Sequence, residues 1–291
     1  MFTAILLTSP SNPSLDAALV ESLRNAWGGG DAVWLSVDEA AEFAVAQLPD
    51  NQWDVWADLQ NAGVDLIAQP SENRRKQMLL ADMDSTMIDM ESLDVLADEL
   101  GIGAAVREIT ERSMEGTLNF EQSLRARVKL LTGMPAAALD KVNGQIPYIS
   151  GAKTLLQTMK KQGAYTALIS GGFTITAEVV AKELGFDEHH ANPLPIKEGK
   201  ILGSLESTLI DPATKASLLA DLCRKQDISL IDALAVGDGA NDIPMLQGAG
   251  LGVAYYGKPI VTESTAYHIN HSDLTTLLYF QGYSRREFAG I

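Results

Sequence analysis

From residue 78 onward the chain alternates short apolar runs with segments in which apolar residues recur at helical spacing. The apolar runs are MLLAD, YTALIS, DALAVGD and GLGVAYY, and the helical patterns include residues 152–162 and 174–184. Short runs that are apolar throughout are typical of parallel strands, because helices cover both faces of a parallel sheet. The alternation therefore predicts an α/β fold with a doubly wound parallel sheet.

Two segments interrupt this alternation. Between about residues 91 and 145 no strand-like run occurs, and a helical pattern of this length is too long for a simple connection. We interpret this segment as an inserted helical cap. A second, smaller insertion over residues 192–206 places the turn Lys197-Glu198-Gly199-Lys200 between alternating residues, which predicts a β-hairpin.

The first 70 residues differ in composition from the rest of the chain. They contain one basic residue against ten acidic ones, and all four tryptophans. A polar stretch follows, so we expect a small N-terminal domain of residues 1–72 and a larger domain of residues 73–291. TAILL and VDLIA predict buried strands, and leucines at helical spacing after Ser14 predict a helix with Ser14 as its N-cap. This domain should be a small α/β unit.

Charge and hydropathy exclude several classes of partner. The formal net charge of −16 repels DNA, RNA and anionic membrane surfaces, so no nucleic-acid or membrane partner is expected. No apolar run approaches the roughly 20 residues that cross a bilayer, and the N-terminus lacks the basic start of a secretory signal, so we expect a cytoplasmic protein. Cys223 is the single cysteine, which excludes an internal disulfide and a cysteine-built zinc site.

Polar clusters follow three of the strand-like runs, and ligand sites of open α/β sheets lie at the carboxyl ends of strands. The first run leads directly into Asp82-Met83-Asp84-Ser85-Thr86. Side chains two residues apart on a strand point the same way, so Asp82 and Asp84 can face one reacting centre. Taken by itself, the pattern also fits a strand that stops at a solvated turn.

The other two clusters have the chemistry of a phosphate site and a metal site. Ser170-Gly171-Gly172 precedes a predicted helix, and glycines there let backbone N–H groups approach a phosphate oxygen. The loop from Gly237 to Asp242 packs two carboxylates and the Asn241 amide together, and such oxygens suit Mg²⁺. Lys215 lies near the start of a predicted helix. We expect the clusters to converge at one edge of the sheet.

These motifs, taken in order, resemble the four motifs of the haloacid dehalogenase superfamily, and the resemblance covers roughly residues 78–291. The matching positions are Asp82-x-Asp84-x-Thr86, Ser170, Lys215 and Gly237-Asp238-Gly239-x-Asn241-Asp242. Within the superfamily, Glu91, the run from Met114 to Arg127 and Ser170-Gly171-Gly172-Phe173 resemble the phosphoserine phosphatase family. The resemblance implies a Rossmann-type core with a closing cap, and Mg²⁺-dependent hydrolysis of O-phospho-L-serine, the last step of serine biosynthesis.

The resemblance also implies catalytic roles for individual residues. Asp82 would be the nucleophile that forms an aspartyl-phosphate, and Asp84 would be the general acid and base. The Asp82 carboxylate, the Asp84 backbone carbonyl and Asp238 would hold Mg²⁺. Asp242 would orient water or Lys215.

For the substrate, the resemblance implies one set of contacts at the phosphoryl side and one in the cap. The first set consists of Ser170, the backbone N–H of Gly171, Lys215 and Asn241. In the cap, Glu91 would bind the ammonium group and Arg127 the carboxylate, which suits the two-pronged guanidinium. Met114 and Phe120 would be apolar walls, although both also fit cap-helix core positions.

Other interpretations stay open at this point. A phosphorylated signalling receiver uses a similar sheet, clustered aspartates, Mg²⁺, a hydroxyl and a lysine, but it needs neither a cap nor a general acid. A phosphatase or phosphotransferase for phosphothreonine or phosphoethanolamine is a second alternative. An amino-acid sensor with a vestigial catalytic domain is a third.

The N-terminal domain has three possible roles. Some relatives carry a ferredoxin-like, amino-acid-binding ACT domain in this position, so the domain could modulate the enzyme. It could also mediate a homodimer, or simply cover an exposed face of the catalytic domain. Every catalytic candidate lies beyond residue 78, so we expect no contribution to the chemistry.

Overall fold

The computed structural model describes residues 1–114, 117–205 and 208–290. The side chain of Met114 and residues 115–116, all part of the cap run named above, lie outside this description, as does residue 206 of the hairpin insertion. No helix in these ranges is long and apolar enough to cross a membrane.

The N-terminal domain is a four-stranded antiparallel sheet with two helices. Its elements are β1 (Phe2–Leu7), α1 (Ala17–Ala26), β2 (Val33–Ser36), β3 (Ala40–Val45), α2 (Gln52–Asn61) and β4 (Asp65–Pro70). The strand order β2-β3-β1-β4, with the chain order βαββαβ, is that of a ferredoxin-like unit.

The N-cap of α1 is not the residue that the sequence predicts. Asp16 accepts a hydrogen bond from the Ala18 backbone N–H at 2.8 Å and begins the helix. Ser14 lies too far upstream to do so, because the chain around it is held to neighbouring loops: the Ser14 N–H donates to Thr8 Oγ1 and the Leu15 N–H to the Asp38 carbonyl. The prediction of Ser14 as N-cap was therefore wrong.

The larger domain follows a polar connection. Its strands are β5 (Met78–Ala81), β6 (Tyr165–Phe173), β7 (Glu188–Asn192), β8 (Ile196–Lys197), β9 (Lys200–Ile201), β10 (Ala233–Gly237), β11 (Leu251–Tyr255) and β12 (Tyr267–Ile269). Its helices are α3 (Ser92–Glu99), α4 (Gly103–Met114), α5 (Phe120–Leu130), α6 (Ala137–Asn143), α7 (Ala152–Lys161), α8 (Thr174–Leu184), α9 (Pro212–Lys225), α10 (Ile243–Gly248), α11 (Pro259–Thr262) and α12 (Thr276–Phe280). Short 3₁₀ helices lie at Leu230–Asp232, Ala240–Asp242 and Arg285–Glu287.

Six of these strands form one parallel sheet in the order β12-β11-β10-β5-β6-β7. Every residue of β5 and β10 is buried, which explains why both strands are apolar throughout. Helices α3 to α6 form the cap between β5 and α7, and β8 pairs with β9 as a hairpin. The predicted doubly wound parallel sheet, the helical cap and the hairpin are confirmed.

The N-terminal sheet is covered on both faces. One face carries Ala4, Leu6 and Phe43, which pack with residues of α1 and α2. The opposite face carries Ile5, Leu7 and other side chains that belong to the same hydrophobic cluster as the sheet of the larger domain and α12. The two parts of the chain therefore share one apolar core.

Buried polar groups reinforce this contact. Glu39, 3% exposed, accepts hydrogen bonds from the Tyr279 hydroxyl at 2.8 Å and from Arg285 at 3.0 Å. Asp65 accepts bonds from the Asn270 and His271 backbone N–H groups. Removing the N-terminal sheet would leave these donors and the apolar cluster without their partners.

We expect the two parts of the chain to unfold together because they share this core. Tryptophan fluorescence reports only on residues 1–70, where all four tryptophans lie, whereas far-ultraviolet circular dichroism reports on the whole chain. The two thermal transitions should coincide. Ile67→Ala, at a site that is 1% exposed, should lower the free energy of unfolding by about 2–4 kcal/mol and shift both transitions equally.

Val33→Ala is the matched control for this prediction. Val33 is on the edge strand β2 and is 54% exposed, so its truncation should change the free energy of unfolding by less than about 0.5 kcal/mol. A fluorescence transition clearly separated from the dichroism transition would show that the two parts unfold independently.

Candidate active site

The three predicted clusters converge at the carboxyl edge of the central sheet. Strand β5 lies between β6 and β10, so the residues that follow these strands are neighbours in space. Asp82 follows β5, Ser170 lies within the distorted end of β6, and Asp238 follows β10. All three side chains are buried.

At the centre of the site a lysine ammonium lies between two carboxylates. Lys215 Nζ donates hydrogen bonds to Asp82 Oδ1 and, at 2.6 Å, to Asp242 Oδ1. Lys215 and Asp242 are 0% exposed and Asp82 is 5% exposed. Helix α9 holds the lysine there because the side chain of Asp211 caps its first turn through the Thr214 N–H, and Pro212 occupies the first helical position.

The pKa values at this centre follow from burial and mutual charge. Burial raises the pKa of Asp82 well above its usual range, as does the nearby Asp242 carboxylate, while Lys215 opposes the rise. Burial alone would lower the pKa of Lys215, but Asp242 and Asp82 raise it above its ordinary value. The lysine therefore stays charged.

Asp84 lies beside this centre in a different environment. Its Oδ1 accepts a hydrogen bond from the Ser92 N–H at 2.7 Å, and its Oδ2 lies 3.5 Å from Ser170 Oγ. Burial and the Glu91 carboxylate raise the pKa of Asp84 to about 6, against the lowering effect of the Ser92 N–H. Asp84 can thus carry a proton near neutral pH.

Asp238, on the third loop, has two further neighbours, one from the loop after β11 and one from the segment after β5. Lys258 Nζ lies 3.2 Å from Asp238 Oδ2 and 4.0 Å from Glu91 Oε1, and the hydroxyl of Thr86 donates to Asp238 Oδ1 at 3.4 Å. Burial raises the pKa of Asp238, and Lys258 opposes that rise.

These carboxylates have the donor set of a divalent-cation site. Oxygens of Asp82, Asp238 and Asp242 lie within 4.8 Å of one another, and all three side chains are buried. Burial and mutual repulsion raise the pKa values of Asp82 and Asp238, and a bound cation would relieve that repulsion. Both oxygens of Asp242 accept short hydrogen bonds, from Lys215 at 2.6 Å and from the Gly239 N–H at 3.0 Å, whereas the contacts of Asp238 with Lys258 and Thr86 are longer, at 3.2 and 3.4 Å. Lys215 contacts Oδ1 of Asp82. Asp82 and Asp238 are therefore better placed than Asp242 to give an oxygen to a metal.

The glycine-rich segment of β6 requires its glycines. A Cβ at Gly172 would lie 3.1 Å from Asp84 Oδ2 and 3.1 Å from Ser170 Oγ, and a Cβ at Gly171 would lie 3.0 Å from Phe120 Cζ. The ring of Phe120 in the cap therefore lies directly against this loop. Ser170 Oγ accepts a hydrogen bond from the Gly172 N–H at 2.9 Å, which fixes the hydroxyl.

The cap contributes Glu91 and Arg127. Glu91 is the N-cap residue of α3, its side chain is half exposed, and its Oε1 accepts a hydrogen bond from Ser85 Oγ at 3.0 Å. Arg127 on α5 has its Nε buried without a hydrogen-bond partner in the described part of the chain. Burial lowers the pKa of Arg127, while Asp94, Glu91 and Asp84 oppose this. Asn241, on the third loop, is partly exposed, and its amide lies 3.5 Å from Asp242 Oδ1.

Three residues near the site were not predicted from the sequence. Lys258 approaches Asp238 from a separate loop, and Asp94 lies near Arg127 with a buried Oδ1 that has no hydrogen-bond partner among the described residues. Asn192, 0% exposed, donates to the Gly171 carbonyl and accepts from the Ile210 N–H, and so ties the β6 loop to the segment before α9. Only the Gly-Lys-Pro turn at 257–259, next to an apolar strand, marks Lys258.

Comparison with known proteins relates this arrangement to one family. Residues 79–247 match the family model described as haloacid dehalogenase-like hydrolase. The chain is 39% identical over 227 residues to a phosphoserine phosphatase of Streptomyces coelicolor, covering 77% of this chain and 55% of that protein. It is 39% identical over 207 residues to the phosphoserine phosphatase of Methanocaldococcus jannaschii, covering 71% of this chain and 98% of that protein.

The lengths of these relatives differ. The chain spans 55% and 64% of the phosphoserine phosphatases of Streptomyces coelicolor and Archaeoglobus fulgidus, the latter being 37% identical over 75% of this chain. It spans nearly the whole of the Methanocaldococcus jannaschii protein. The match to that relative therefore extends over almost its full length.

Solved structures match both the catalytic part and the whole chain. A haloacid dehalogenase family hydrolase from Salmonella enterica serovar Typhi superposes with a TM-score of 0.86 at 28% identity, over 96% of this chain and 98% of that one. A phospho-aspartyl intermediate analogue of a phosphoserine phosphatase superposes with a TM-score of 0.66 at 39% identity, over 71% of this chain and 99% of that one. The first match includes the N-terminal domain.

The buried lysine gives a prediction for stability. Lys215→Met keeps most of the side-chain volume but leaves Asp82 and Asp242 facing each other without a cation. Its free energy of unfolding at neutral pH should fall by about 3–5 kcal/mol, because breaking a buried ion pair leaves uncompensated charge.

Lys225→Met on the same helix is the control. Lys225 is exposed and pairs with Glu188 at the surface, so its loss should cost less than about 1 kcal/mol. Chemical denaturation of both variants measures the difference. Equal effects of the two substitutions would contradict the central role of Lys215 in the site.

Proposed function

Because the chain belongs to the haloacid dehalogenase-like hydrolase family, we propose that it is a Mg²⁺-dependent phosphatase that hydrolyses O-phospho-L-serine to L-serine and phosphate. This reaction would be the last step of serine biosynthesis. The observation that carries the proposal is the buried triad of Asp82, Lys215 and Asp242 beside a cap in which Arg127 Nε is buried and has no hydrogen-bond partner among the described residues.

The first chemical step is attack by Asp82 on the phosphorus atom. A phosphate monoester is negatively charged, so a carboxylate attacks it only where cations spread the charge. Lys215 holds one oxygen of Asp82 and leaves the other to form the bond to phosphorus while the bond from phosphorus to the serine oxygen breaks. The solved phospho-aspartyl analogue of a phosphoserine phosphatase supports the aspartyl-phosphate.

Asp84 would carry the protons of both steps. With a pKa of about 6, a protonated fraction is available to give its proton to the departing serine oxygen. The resulting Asp84 carboxylate would then remove a proton from the water that attacks the phosphorus, and Asp82 would be released with free phosphate. The Ser170 hydroxyl, which lies 3.5 Å from Asp84 Oδ2, and the Gly171 N–H would hold phosphoryl oxygens, and Asn241 would contact the substrate.

Magnesium is the cofactor that we propose, since the family and the donor set both suit it. The Asp82 carboxylate, the Asp84 main-chain carbonyl and Asp238 would hold it, with Asp242 kept on Lys215. When bound, the ion would neutralise charge on the transferring phosphoryl group.

Selectivity for phosphoserine would come from the cap. The substrate presents an ammonium and a carboxylate on one carbon, and Glu91 and Arg127 carry the complementary charges. Arg127 is partly desolvated, so a carboxylate would gain a strong, two-pronged partner there. Phe120, which lies against Gly171, would form an apolar wall between this pocket and solvent.

Removal of the nucleophile gives the first test of this mechanism. Asp82→Asn should reduce kcat by about four orders of magnitude or more, because an amide neither attacks phosphorus nor binds the metal well. The far-ultraviolet dichroism spectrum should stay unchanged, and Asp221→Asn, an exposed position on α9, should keep full activity. Chelation with EDTA should abolish turnover of the wild type.

Two outcomes would contradict this prediction. Near wild-type turnover by Asp82→Asn would remove Asp82 as nucleophile, and activity after full chelation would remove Mg²⁺. Stable labelling of Asp82 by a small phosphodonor, without turnover of any ester, would favour a signalling receiver instead.

Substrate selectivity gives the second test. Phosphate release from phosphoserine, phosphothreonine, phosphoethanolamine and p-nitrophenyl phosphate should show a clear preference for phosphoserine. Glu91→Gln and Arg127→Ala should each lower kcat/KM for phosphoserine by at least about 30-fold, because the lost charge leaves a desolvated group on the substrate. The rate with p-nitrophenyl phosphate, which has neither group, should change by less than about threefold.

Arg107→Ala is the control for the cap. Arg107 lies on α4 and pairs with Asp98 at the surface, so both substrates should be hydrolysed at unchanged rates. Equal losses on the two substrates in Glu91→Gln and Arg127→Ala would mean that these residues support the cap and do not recognise the amino acid.

A further inference from the structure

One carboxylate of the N-terminal domain is fully buried against the larger domain. Asp65, the first residue of β4, is 0% exposed, and its two oxygens accept hydrogen bonds from the backbone N–H groups of Asn270 at 3.0 Å and His271 at 3.1 Å. Both donors directly follow β12, the strand at one edge of the parallel sheet. A buried carboxylate costs free energy unless such donors meet it, so Asp65 fixes the chain where it leaves β12.

A second contact from the N-terminal domain holds the same point. The side-chain amide of Asn270 donates to Gln60 Oε1 at 2.8 Å, and Gln60 lies near the end of α2. Hydrogen bonds to α2 and to β4 thus both hold residues 270–271. The N-terminal domain therefore fixes the end of β12 from two of its elements.

The end of β12 in turn supports the loop after β11. Tyr255 pairs with Ile269 in the parallel sheet, and the next N–H, that of Tyr256, donates to the Ile269 carbonyl at 2.8 Å. Tyr256 has a φ of +43°, in the left-handed region that a bulky side chain rarely adopts. Such a conformation persists only where the surrounding structure imposes it. Because Tyr256 is 52% exposed, the backbone bond to β12 is a main support of this turn.

The turn places Lys258 beside the active site. A Cβ at Gly257 would lie 2.9 Å from the Ala254 Cβ, so the close turn requires glycine there. The Lys258 N–H donates to the Asp238 carbonyl at 3.0 Å, and its Nζ lies 3.2 Å from Asp238 Oδ2 and 4.0 Å from Glu91 Oε1. The backbone and the side chain of Lys258 therefore both contact Asp238, and the ammonium also lies near the carboxylate that we assign to the substrate ammonium.

We propose that Asp65 is a positioning residue for the active site, which fixes the end of β12 and thereby the turn that holds Lys258 beside Asp238. The expected effect on turnover rests on the proposed phosphatase function, whereas the effect on the turn does not. The N-terminal domain would then contribute to the reaction through the geometry of the sheet edge, although every group that we assign to catalysis lies in the larger domain.

Hydrogen–deuterium exchange of the full-length protein tests the positioning without turnover. Asp65→Asn keeps the shape of the side chain, but an amide oxygen replaces only one of the two carboxylate oxygens, and the amide N–H groups then face the other backbone donor. Exchange in peptides covering residues 254–262 should become about tenfold faster or more, because the backbone bonds of Tyr256 and Lys258 open more often.

Glu39→Gln is the matched control. Glu39 is also a buried carboxylate of the N-terminal domain that accepts hydrogen bonds from the larger domain, but its partners Tyr279 and Arg285 lie in α12 and in the last 3₁₀ helix. Both substitutions should lower the thermal midpoint, whereas only Asp65→Asn should speed exchange in residues 254–262.

Gln60→Ala provides a second, milder variant in case Asp65→Asn folds poorly. It removes the bond from the Asn270 side chain and leaves both backbone bonds to Asp65 in place. Exchange in residues 254–262 should rise about threefold, the effect of one partly buried hydrogen bond. Unchanged exchange in both variants would overturn the positioning role of the N-terminal domain.

A double-variant cycle tests whether the effect reaches the reaction through Lys258. Lys258→Met removes the ammonium and keeps most of the stem. This variant and Asp65→Asn should each lower kcat/KM for phosphoserine by about tenfold, since small misplacements of site groups are costly. The double variant should be no slower than Lys258→Met by itself. Glu39→Gln, assayed at a temperature where it is folded, should keep the wild-type value.

The possible outcomes separate positioning from stability. A lower thermal midpoint of Asp65→Asn with wild-type exchange and turnover would leave Asp65 as a structural contact and overturn the proposal. Losses that multiply in the double variant would show that Asp65 does not act through Lys258. If the wild type hydrolysed no phosphate ester, the proposed phosphatase function would fail, while the exchange measurements would still decide whether Asp65 holds the turn.

Discussion

The structure depends on one buried ammonium group. Lys215 lies out of water between Asp82 and Asp242, and such a charge is tolerated in the interior only because both partners meet it directly. Its hydrogen bonds join positions 133 and 27 residues apart in the chain, so the start of α9 is fixed against the ends of β5 and β10. Two carboxylates against one ammonium also leave net negative charge, which a further cation would balance.

The sheet edge and the cap contribute different kinds of groups to the site. The edge offers groups that are buried and hydrogen-bonded to each other, and so are held in one geometry, as chemistry at phosphorus requires. The cap contributes Arg127, whose Nε has no hydrogen-bond partner in the part of the chain that the structure describes, and Phe120, which lies against the glycine loop. On the proposed function, the sheet edge would hold the catalytic groups in a fixed geometry, and Arg127 would be the group that recognises the substrate.

Local sequence patterns predicted much of the fold but did not predict the long-range contacts. The parallel sheet, the cap and the helices at 152–161 and 174–184 follow from periodicity, and convergence of the Asp82, Ser170 and Asp238 clusters follows from strand topology. Lys258 and Asn192 could not be found this way, because each contacts the site from an element distant in sequence: Lys258 from the loop after β11 and Asn192 from the end of β7. The shared core also escaped prediction, since the apolar pattern of β1 does not say which element covers its second face. The predicted N-cap of α1 was wrong because the spacing of the apolar residues does not by itself distinguish Ser14 from Asp16.

The double coverage of the N-terminal sheet has a consequence for synthesis on the ribosome. Ile5, Leu7 and Ile67 emerge early, but Leu277, Leu278 and Phe280, in the same cluster, are added roughly 200 residues later. At about 5–20 residues per second, the interval is about 10–40 s. Throughout it, one face of a completed sheet is apolar and exposed to solvent or to a chaperone. The N-terminal part of the nascent chain therefore needs protection until the C-terminal part has been synthesised.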